Sequence, residues 1–445
     1  MSPSSVDSNT QLARRLGLFD ATMIVMGGII GSGIFMNPYV VARQVHTAFL
    51  ILGVWVFGGL LALIAAFIWA ELAVWRPDVG GQYAYLREAF HPSVAFLYGW
   101  VLLLVIQTGG MAAVAVTFAR YFLEMARLPI SDSVLAAVVL TVLTLINCLG
   151  VRAGSTVQSI FMVLKIIAIV TLVVAGLFLI APNAVAPSAT GVLDRPMSFD
   201  LLTAIGAAMV PVLFAYGGWQ TATFVAGEIK EPARNLSRGL IFGVVGVIIL
   251  YLAANIVYIR VLGTDGLAMA TAPASQVMSR LGPWGGRIIA TGIAISTIGF
   301  LSQSMLTAPR VYFAMAQDGL FFKQVATVHP RTRAPIIAIV LQGVLAIIIS
   351  FWGRYEQILN YVVSMDFIFF GLTACCIFVF RKREGLPATA KRTPGHPFTT
   401  LLFIAACWLV VINTIMRYPS NTLIGVAILA AGVPAYIFWS KRSQN

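Results

Sequence analysis

Two of the predicted hydrophobic spans are interrupted by glycines near their middle. The first contains Gly31, Ser32 and Gly33, and the sixth contains Gly217 and Gly218. Because glycine leaves helical dihedral angles at little cost, both spans are predicted to break there. A break inside a membrane exposes N–H and C=O groups that lipid cannot hydrogen-bond, so it persists only where protein or a polar ligand satisfies them. The two breaks are therefore the predicted binding site.

The chemistry of this site follows from the helix ends. The half-helix that begins near Ile34 presents free N–H groups and its positive dipole end, which suit a carboxylate. The half-helix that ends near Ile29 leaves carbonyl groups unpaired, and these suit an ammonium group. A small zwitterion carries both charges. The alternative is that the glycines only permit close helix packing. Matching breaks in two consecutive sets of five spans favour a binding site, a pattern typical of secondary transporters.

The composition indicates an integral membrane protein. Of 445 residues, 59% are hydrophobic and only 10% are charged, whereas soluble domains are about 25% charged. Apolar stretches of about 20 residues, enough to cross a bilayer, recur along the chain. We predict twelve spans, at 18–44, 48–75, 92–123, 133–150, 155–181, 201–227, 238–262, 286–316, 334–352, 356–380, 399–416 and 422–440.

The distribution of positive charge predicts the topology. Of the 29 Lys and Arg residues, nineteen fall on the side that holds both termini and nine on the other, and Lys165 lies inside a span. The excess places both termini in the cytoplasm. A basic surface beside an anionic leaflet accounts for the net charge of +13 without a nucleic-acid partner. No cleavable signal peptide is visible.

Sequence signatures of enzymes, cofactors and metals are missing. The chain has no metalloprotease, nucleophile-elbow or Walker-type motif. Its four cysteines and four histidines are scattered without metal-ligand or disulfide spacing. We therefore expect a protein that is not an enzyme and that has no cofactor and no metal.

Lys165 lies in the middle of the fifth span, which contains no acidic residue near it. A central lysine costs on the order of 3 kcal/mol for insertion, and such a residue is a functional candidate. The alternatives are snorkelling of its side chain toward the membrane surface or a structural bond to backbone carbonyls.

Three motifs stand out: GGIIGSGIFMNP at 27–38, GGQYAY at 80–85 and FAYGGWQTATFVAGEIKEPARN at 214–235. Together with Arg310, His329-Pro330 and Asn360-Tyr361, they resemble the amino acid-polyamine-organocation superfamily, and specifically its L-type amino acid transporter branch.

The resemblance implies an all-α membrane protein with twelve transmembrane helices, a five-plus-five inverted repeat and alternating access. The expected units are a cytoplasmic tail at 1–16, the first repeat at 17–182, the second repeat at 200–383, two further helices at 398–440 and a cytoplasmic tail at 441–445.

The resemblance also implies roles at the breaks. The N–H groups of Ser32 and Gly33 would bind the substrate carboxylate, and the carbonyls of Ile29, Phe214 and Gly217 would bind its amino group. The ring of Phe214 would act as a gate on the outer side. A lysine at position 165 resembles a substitute for the sodium ion of related carriers, which implies sodium-independent transport. A lysine that loses and regains a proton in each cycle is the alternative.

Side-chain selectivity is implied at five positions, Gly110, Gln220, Val362, Asp366 and Phe367. Asp366 occupies a position where the animal transporters have an amide side chain, and Phe367 occupies a position where they have a tryptophan. We expect neutral L-amino acids as substrates. The alternatives are a proton-coupled permease for cationic or other amino acids or amines, and more remotely a channel or a membrane sensor.

The animal L-type transporters are disulfide-linked to a heavy subunit through a loop cysteine, but the corresponding loop, 124–133, has none. We therefore expect a stand-alone prokaryotic carrier in the cell membrane, without such a subunit. Gly80, Gly81, Tyr83 and Tyr85 suit a hinged inner loop. Six charged residues are predicted to cluster at the cytoplasmic face: Glu71, Glu228, Lys230, Glu231, Arg234 and Arg310. They could form an inner gate of ion pairs, and the alternative is a solvated charged rim.

Overall fold

The computed structural model describes residues 14, 16–126, 128–182, 191–193, 195–352, 355–387, 392–417 and 419–444. Within these residues the chain is helical and contains no strand, apart from one isolated parallel bridge between Leu16 and Ile229. Most of the predicted tail at 1–16 lies outside the described residues. So do Arg15, Arg127, Arg354 and Lys391 of the charge count, and Asn445.

Eighteen α-helices follow one another along the described chain. They are α1 Leu18–Ile29, α2 Gly33–Gln44, α3 Ala48–Trp75, α4 Gln82–Ala89, α5 Pro92–Val101, α6 Gln107–Ala126, α7 Asp132–Cys148, α8 Val151–Val174, α9 Phe199–Tyr216, α10 Thr221–Phe224, α11 Pro232–Met269, α12 Pro273–Ser279, α13 Pro283–Thr307, α14 Pro309–Gln317, α15 Ile336–Trp352, α16 Tyr355–Glu384, α17 Phe398–Arg417 and α18 Pro419–Gln444. Two π-helical segments, Leu102–Ile106 and Ala175–Leu179, interrupt the third and fifth spans.

The described helices form a multi-span membrane protein. Nine of them, counted with their continuations, are long and apolar enough to cross a bilayer, and the bent pair α1 and α2 makes a tenth. Two shorter apolar helices, Asp132–Cys148 and Ile336–Phe351, lie where the fourth and ninth spans are predicted. The chain is thus an all-helical membrane protein over its described residues. That the two shorter helices also cross the membrane, which would give twelve spans, stays a prediction.

Both predicted breaks occur at the predicted glycines. The axis bends by 41° between α1, which ends at Ile29, and α2, which begins at Gly33. In the sixth span, α9 ends at Tyr216 and α10 begins at Thr221. The chain is extended at Ile30, and three residues, Ile30, Gly31 and Ser32, lie between the two helices of the first span.

Polar contacts between helices hold the broken segments in place. The Asn37 side chain on α2 donates to the Pro211 carbonyl oxygen on α9 at 2.7 Å. The Ser237 hydroxyl on α11 donates to the Ala70 carbonyl oxygen on α3 at 2.9 Å. Within the second break, the buried Trp219 ring packs edge-on against Trp69. These contacts position the two breaks against a rigid helical frame.

Candidate functional site

A small cavity of about 80 Å³ lies between the two breaks. Ten of the eleven site residues predicted from the sequence line it: Ile29, Ser32, Gly33, Gly110, Phe214, Gly217, Gln220, Val362, Asp366 and Phe367. Lys165 does not line the cavity. Sequence reasoning missed several other lining residues, among them Gly28, Gln107, Thr221, Phe300 and Ser304.

The first break offers hydrogen-bond donors to this cavity. Within the described part of the chain, the N–H groups of Ser32 and Gly33 make no hydrogen bond to the protein. The Ser32 hydroxyl is also buried and has no partner there. Because these groups stand at the N-terminus of α2, the helix dipole adds to their attraction for an anion. This end of the cavity suits a carboxylate.

The carbonyl groups of the first break are already partly satisfied by side chains from other helices. Tyr251 donates its hydroxyl to Ile29 at 3.2 Å, and Ser296 donates its hydroxyl to Gly31 at 3.2 Å. A carbonyl oxygen has two lone pairs, so the Ile29 oxygen can still accept from a bound ammonium group. The sequence could not indicate these hydroxyl groups, which lie more than 200 positions away along the chain.

The second break contacts the first directly. Gly218 has a φ of 109°, and a Cβ atom there would lie 2.1 Å from the Gly28 carbonyl oxygen. Only glycine fits such a conformation and such an approach. The Gln220 side-chain oxygen accepts from the Gly218 N–H at 3.1 Å. Gln220 therefore lines the cavity as predicted, but its side-chain oxygen also caps the break.

Lys165 lies behind the first break and is fully buried. Its ammonium group donates to the Ile30 carbonyl oxygen at 2.6 Å and to the Gly27 carbonyl oxygen at 3.2 Å. The alternative that its side chain snorkels to the membrane surface is therefore wrong, whereas the alternative of a bond to backbone carbonyls describes the observed contacts. The lysine instead places a cation donor at the negative end of α1, where the carbonyls lack helical partners.

The opposite end of the cavity would meet a ligand side chain. The π-helical segment Leu102–Ile106 leads directly into Gln107 and Gly110 on α6, and such segments are frequent at functional sites. A Cβ atom at Gly110 would meet nothing within 4 Å, so the glycine leaves open space. Asp366 is half-buried, and its Oδ1 atom has no hydrogen-bond partner among the described residues. Phe367 packs edge-on against Phe370.

Within the predicted cluster of inner charges, Arg310 and Glu228 form an ion pair, whereas Glu71 pairs with a residue outside the cluster. Arg310 donates to Glu228 at 2.9 Å, and both side chains are 1% exposed. Glu71 is instead held by Arg381, at 2.7 and 2.8 Å, and by the N–H and hydroxyl groups of Thr393, at 2.7 and 2.8 Å. The partners of Glu71 lie more than 300 positions away, which is why a local pattern missed them.

The other members of that cluster remain near the surface. Glu231 and Arg234 form an exposed pair at 3.7 Å. The Lys230 side chain is exposed, and its backbone N–H donates to the Leu16 carbonyl oxygen at 2.8 Å. The predicted alternative of a solvated rim describes this part of the surface.

The predicted inner loop packs against the sixth span. Gly81 has a φ of 43°, and a Cβ atom there would lie 2.2 Å from the Thr223 hydroxyl oxygen. Tyr83 donates its hydroxyl to Asp318 at 2.8 Å. Burial and the Asp318 carboxylate both raise the pKa of Tyr83, so the phenol remains protonated. The loop thus packs against α10 and is hydrogen-bonded to Asp318, the residue directly after α14.

Nearly the whole chain matches one known sequence family. The pattern described as "Amino acid permease" matches residues 16–436. This chain belongs to the amino acid permease family. Membership confirms the resemblance to the amino acid-polyamine-organocation superfamily. The permease is therefore a secondary amino acid transporter and not an enzyme.

Individual relatives agree with the family. The permease is 30% identical over 459 residues to the "Large neutral amino acids transporter small subunit 2" of Oryctolagus cuniculus, across 99% of this chain and 84% of the relative. It is 30% identical over 441 residues to the "Serine/threonine exchanger SteT" of Bacillus subtilis (strain 168), across 98% of both chains. It is 30% identical over 383 residues to the "b(0,+)-type amino acid transporter 1" of Oryctolagus cuniculus, across 85% of this chain and 78% of the relative.

Proposed function

We propose that the permease carries neutral L-amino acids by alternating access around the two breaks, without sodium. The N–H groups of Ser32 and Gly33 bind the α-carboxylate, and the carbonyls of Ile29, Phe214 and Gly217 bind the α-ammonium. The observation that carries the proposal is the pair of unbonded N–H groups at the start of α2, which face a cavity shared with the second break. Both charges of one zwitterion find their complement within this cavity.

Lys165 takes the role of a coupling cation in this proposal. Its ammonium group bonds two carbonyl oxygens of the first span at the break. A monovalent metal ion at the same carbonyls would supply the same positive charge. A covalently attached ammonium group makes the metal ion unnecessary, which supports sodium-independent transport.

The finer architecture belongs to the same proposal. The helices through α16 form two inverted repeats of five spans, α17 and α18 lie outside them, and Phe214 closes the outer side of the site. Both termini face the cytoplasm in the cell membrane, as the charge distribution favours. The described residues of the loop at 124–133 contain no cysteine, so the permease works without a disulfide-linked heavy subunit.

Transport into liposomes tests this function. The purified permease is reconstituted with unlabelled amino acid inside, and entry of a labelled neutral amino acid is followed in sodium medium and in potassium medium. Equal counterflow in the two media is expected. Uptake that appears only with a sodium gradient contradicts the role of Lys165, and the lack of counterflow for every amino acid tested contradicts the substrate class.

One observation favours a second candidate, a proton-coupled permease that accepts cationic substrates. The Asp366 Oδ1 atom has no partner among the described residues, and the side chain lines the cavity. An ionised carboxylate there attracts either a cationic side chain or a proton. Liposomes without internal amino acid, placed in an inward pH gradient, distinguish the candidates, because accumulation driven by the gradient requires proton coupling, whereas an exchanger has no internal substrate to exchange.

A further inference from the structure

A groove outside the transport site is lined by three arginines. Arg14 comes from the segment before α1, whereas Arg234 and Arg238 lie in the first two turns of α11. One acidic residue, Glu231, lines the same groove and lies 3.7 Å from Arg234 in an exposed pair. The lining therefore carries an excess of two positive charges.

The chain does not neutralise this excess within its described residues. Neither Arg14 nor Arg238 has an acidic partner there, and Arg238 is half-buried. The groove also lies at the N-terminus of α11, whose dipole adds positive potential. Like charges held together in one concave surface repel each other unless an anion binds between them.

A second observation indicates what kind of anion binds. Phe242, Val245 and Ile249 follow Arg238 along one face of α11, at spacings of four, three and four residues. Their side chains are 57%, 37% and 63% exposed. An apolar stripe therefore runs directly from the basic groove along the membrane-spanning part of the helix. A molecule with an anionic head and an apolar tail matches both features.

We propose that this groove binds the phosphate-bearing headgroup of an anionic phospholipid, with an acyl chain along the stripe. The end of α11 that bears the groove is the one that the charge distribution predicts to be cytoplasmic, where anionic lipids attract basic residues. The headgroup would join Arg14 to Arg238. It would thereby hold the segment before α1 beside the backbone bridge that Leu16 forms with Glu228 and Lys230.

Thermal unfolding of the purified full-length permease in detergent tests the lipid site without any transport measurement. Short-chain phosphatidylglycerol, phosphatidylcholine of the same chain length and inorganic phosphate are added separately. A ligand that binds only the folded state raises the unfolding midpoint. We expect phosphatidylglycerol to raise it in a saturable manner, and the other two to have little effect.

Substitutions in the groove should change the binding of phosphatidylglycerol in opposite directions. R238Q should abolish most of the rise caused by phosphatidylglycerol, and the exposed R234Q should reduce it if R238Q does not fold. E231Q removes the single negative charge and should lower the lipid concentration needed for half of the rise. The matched control is R287Q, an exposed arginine on α13, which should behave like the unaltered permease.

Three results would overturn the proposal. They are equal shifts with phosphatidylglycerol and phosphatidylcholine, a full shift with inorganic phosphate alone, and an unaltered shift in both R238Q and R234Q. Because no substrate is present, failure of this site leaves the proposed transport function untouched, and failure of transport leaves the lipid site untouched.

Discussion

The ammonium nitrogen of Lys165 lies 2.6 Å from the carbonyl oxygen of Ile30, at the point where the first span leaves its helix. Lys165 comes from α8, so this bond joins the broken first span to the fifth. It also places a positive charge directly behind the peptide groups that face the cavity. Any change at Lys165 therefore alters the electrostatics and the geometry of the site together.

Replacing Lys165 with methionine, which has a similar length and no charge, should impair transport strongly. A hydrogen bond from a charged group contributes about 1.5–3 kcal/mol, so its loss should lower uptake by about ten- to hundredfold. Initial rates of counterflow in liposomes measure the effect. K230M changes an exposed lysine that does not line the cavity and should retain its activity. Equal activity of K165M and K230M would show that the lysine has no role in coupling.

The Phe214 ring lines the cavity and is half-buried, so its removal should affect closure more than folding. F214A should lose about tenfold or more in uptake, because a gate that cannot close leaves the site open to water. The protein should nevertheless elute as a single monodisperse species. Unchanged transport by well-folded F214A would refute the gate.

Gly218→Ala should prevent formation of the site. The left-handed conformation costs about 1–2 kcal/mol for a residue with a Cβ atom, and this Cβ would lie 2.1 Å from the Gly28 carbonyl oxygen. The two breaks could not approach each other as they do now. Size-exclusion profiles and counterflow should both show a severe defect. A fully active G218A would contradict the close contact between the breaks.

Gly110→Ala is the matched substitution without a clash, because a Cβ atom there meets nothing within 4 Å. It should fold normally and narrow the end of the cavity that holds the substrate side chain. One methyl group in a pocket changes discrimination by about 1–3 kcal/mol. The uptake ratio of alanine to leucine should therefore rise by about tenfold or more. An unchanged ratio would place the substrate side chain elsewhere.

The sequence alone predicted features that depend on local chemistry. Glycines at Gly31, Gly33 and Gly217 indicated both breaks, because their effect on the backbone requires no knowledge of other helices. The sequence did not predict that Tyr251 and Ser296 donate to the first break. Those contacts depend on how separate helices pack, and the pattern of residues within one helix does not indicate that packing.

The ion pairs illustrate the same limit. The sequence groups Glu71 with Arg310, because both lie near predicted span ends on one side of the membrane. In the structure Glu71 bonds to Arg381 and Thr393 instead. A span end fixes the depth of a residue in the membrane but not its position around the bundle. Charge partners at one depth therefore cannot be assigned from sequence without the packing of the helices.

The buried pair of Arg310 and Glu228 should contribute more to stability than the exposed pair of Arg234 and Glu231. Breaking a buried pair from one side leaves an uncompensated charge and costs about 3–5 kcal/mol, whereas an exposed pair contributes about 0–1 kcal/mol. R310M should therefore lower the unfolding midpoint clearly, and R234M should barely change it. The double variant R310M/E228L removes both charges and should recover much of the lost stability. If the double variant is as unstable as R310M alone, the cost arises from lost packing around Arg310 rather than from the unpaired carboxylate.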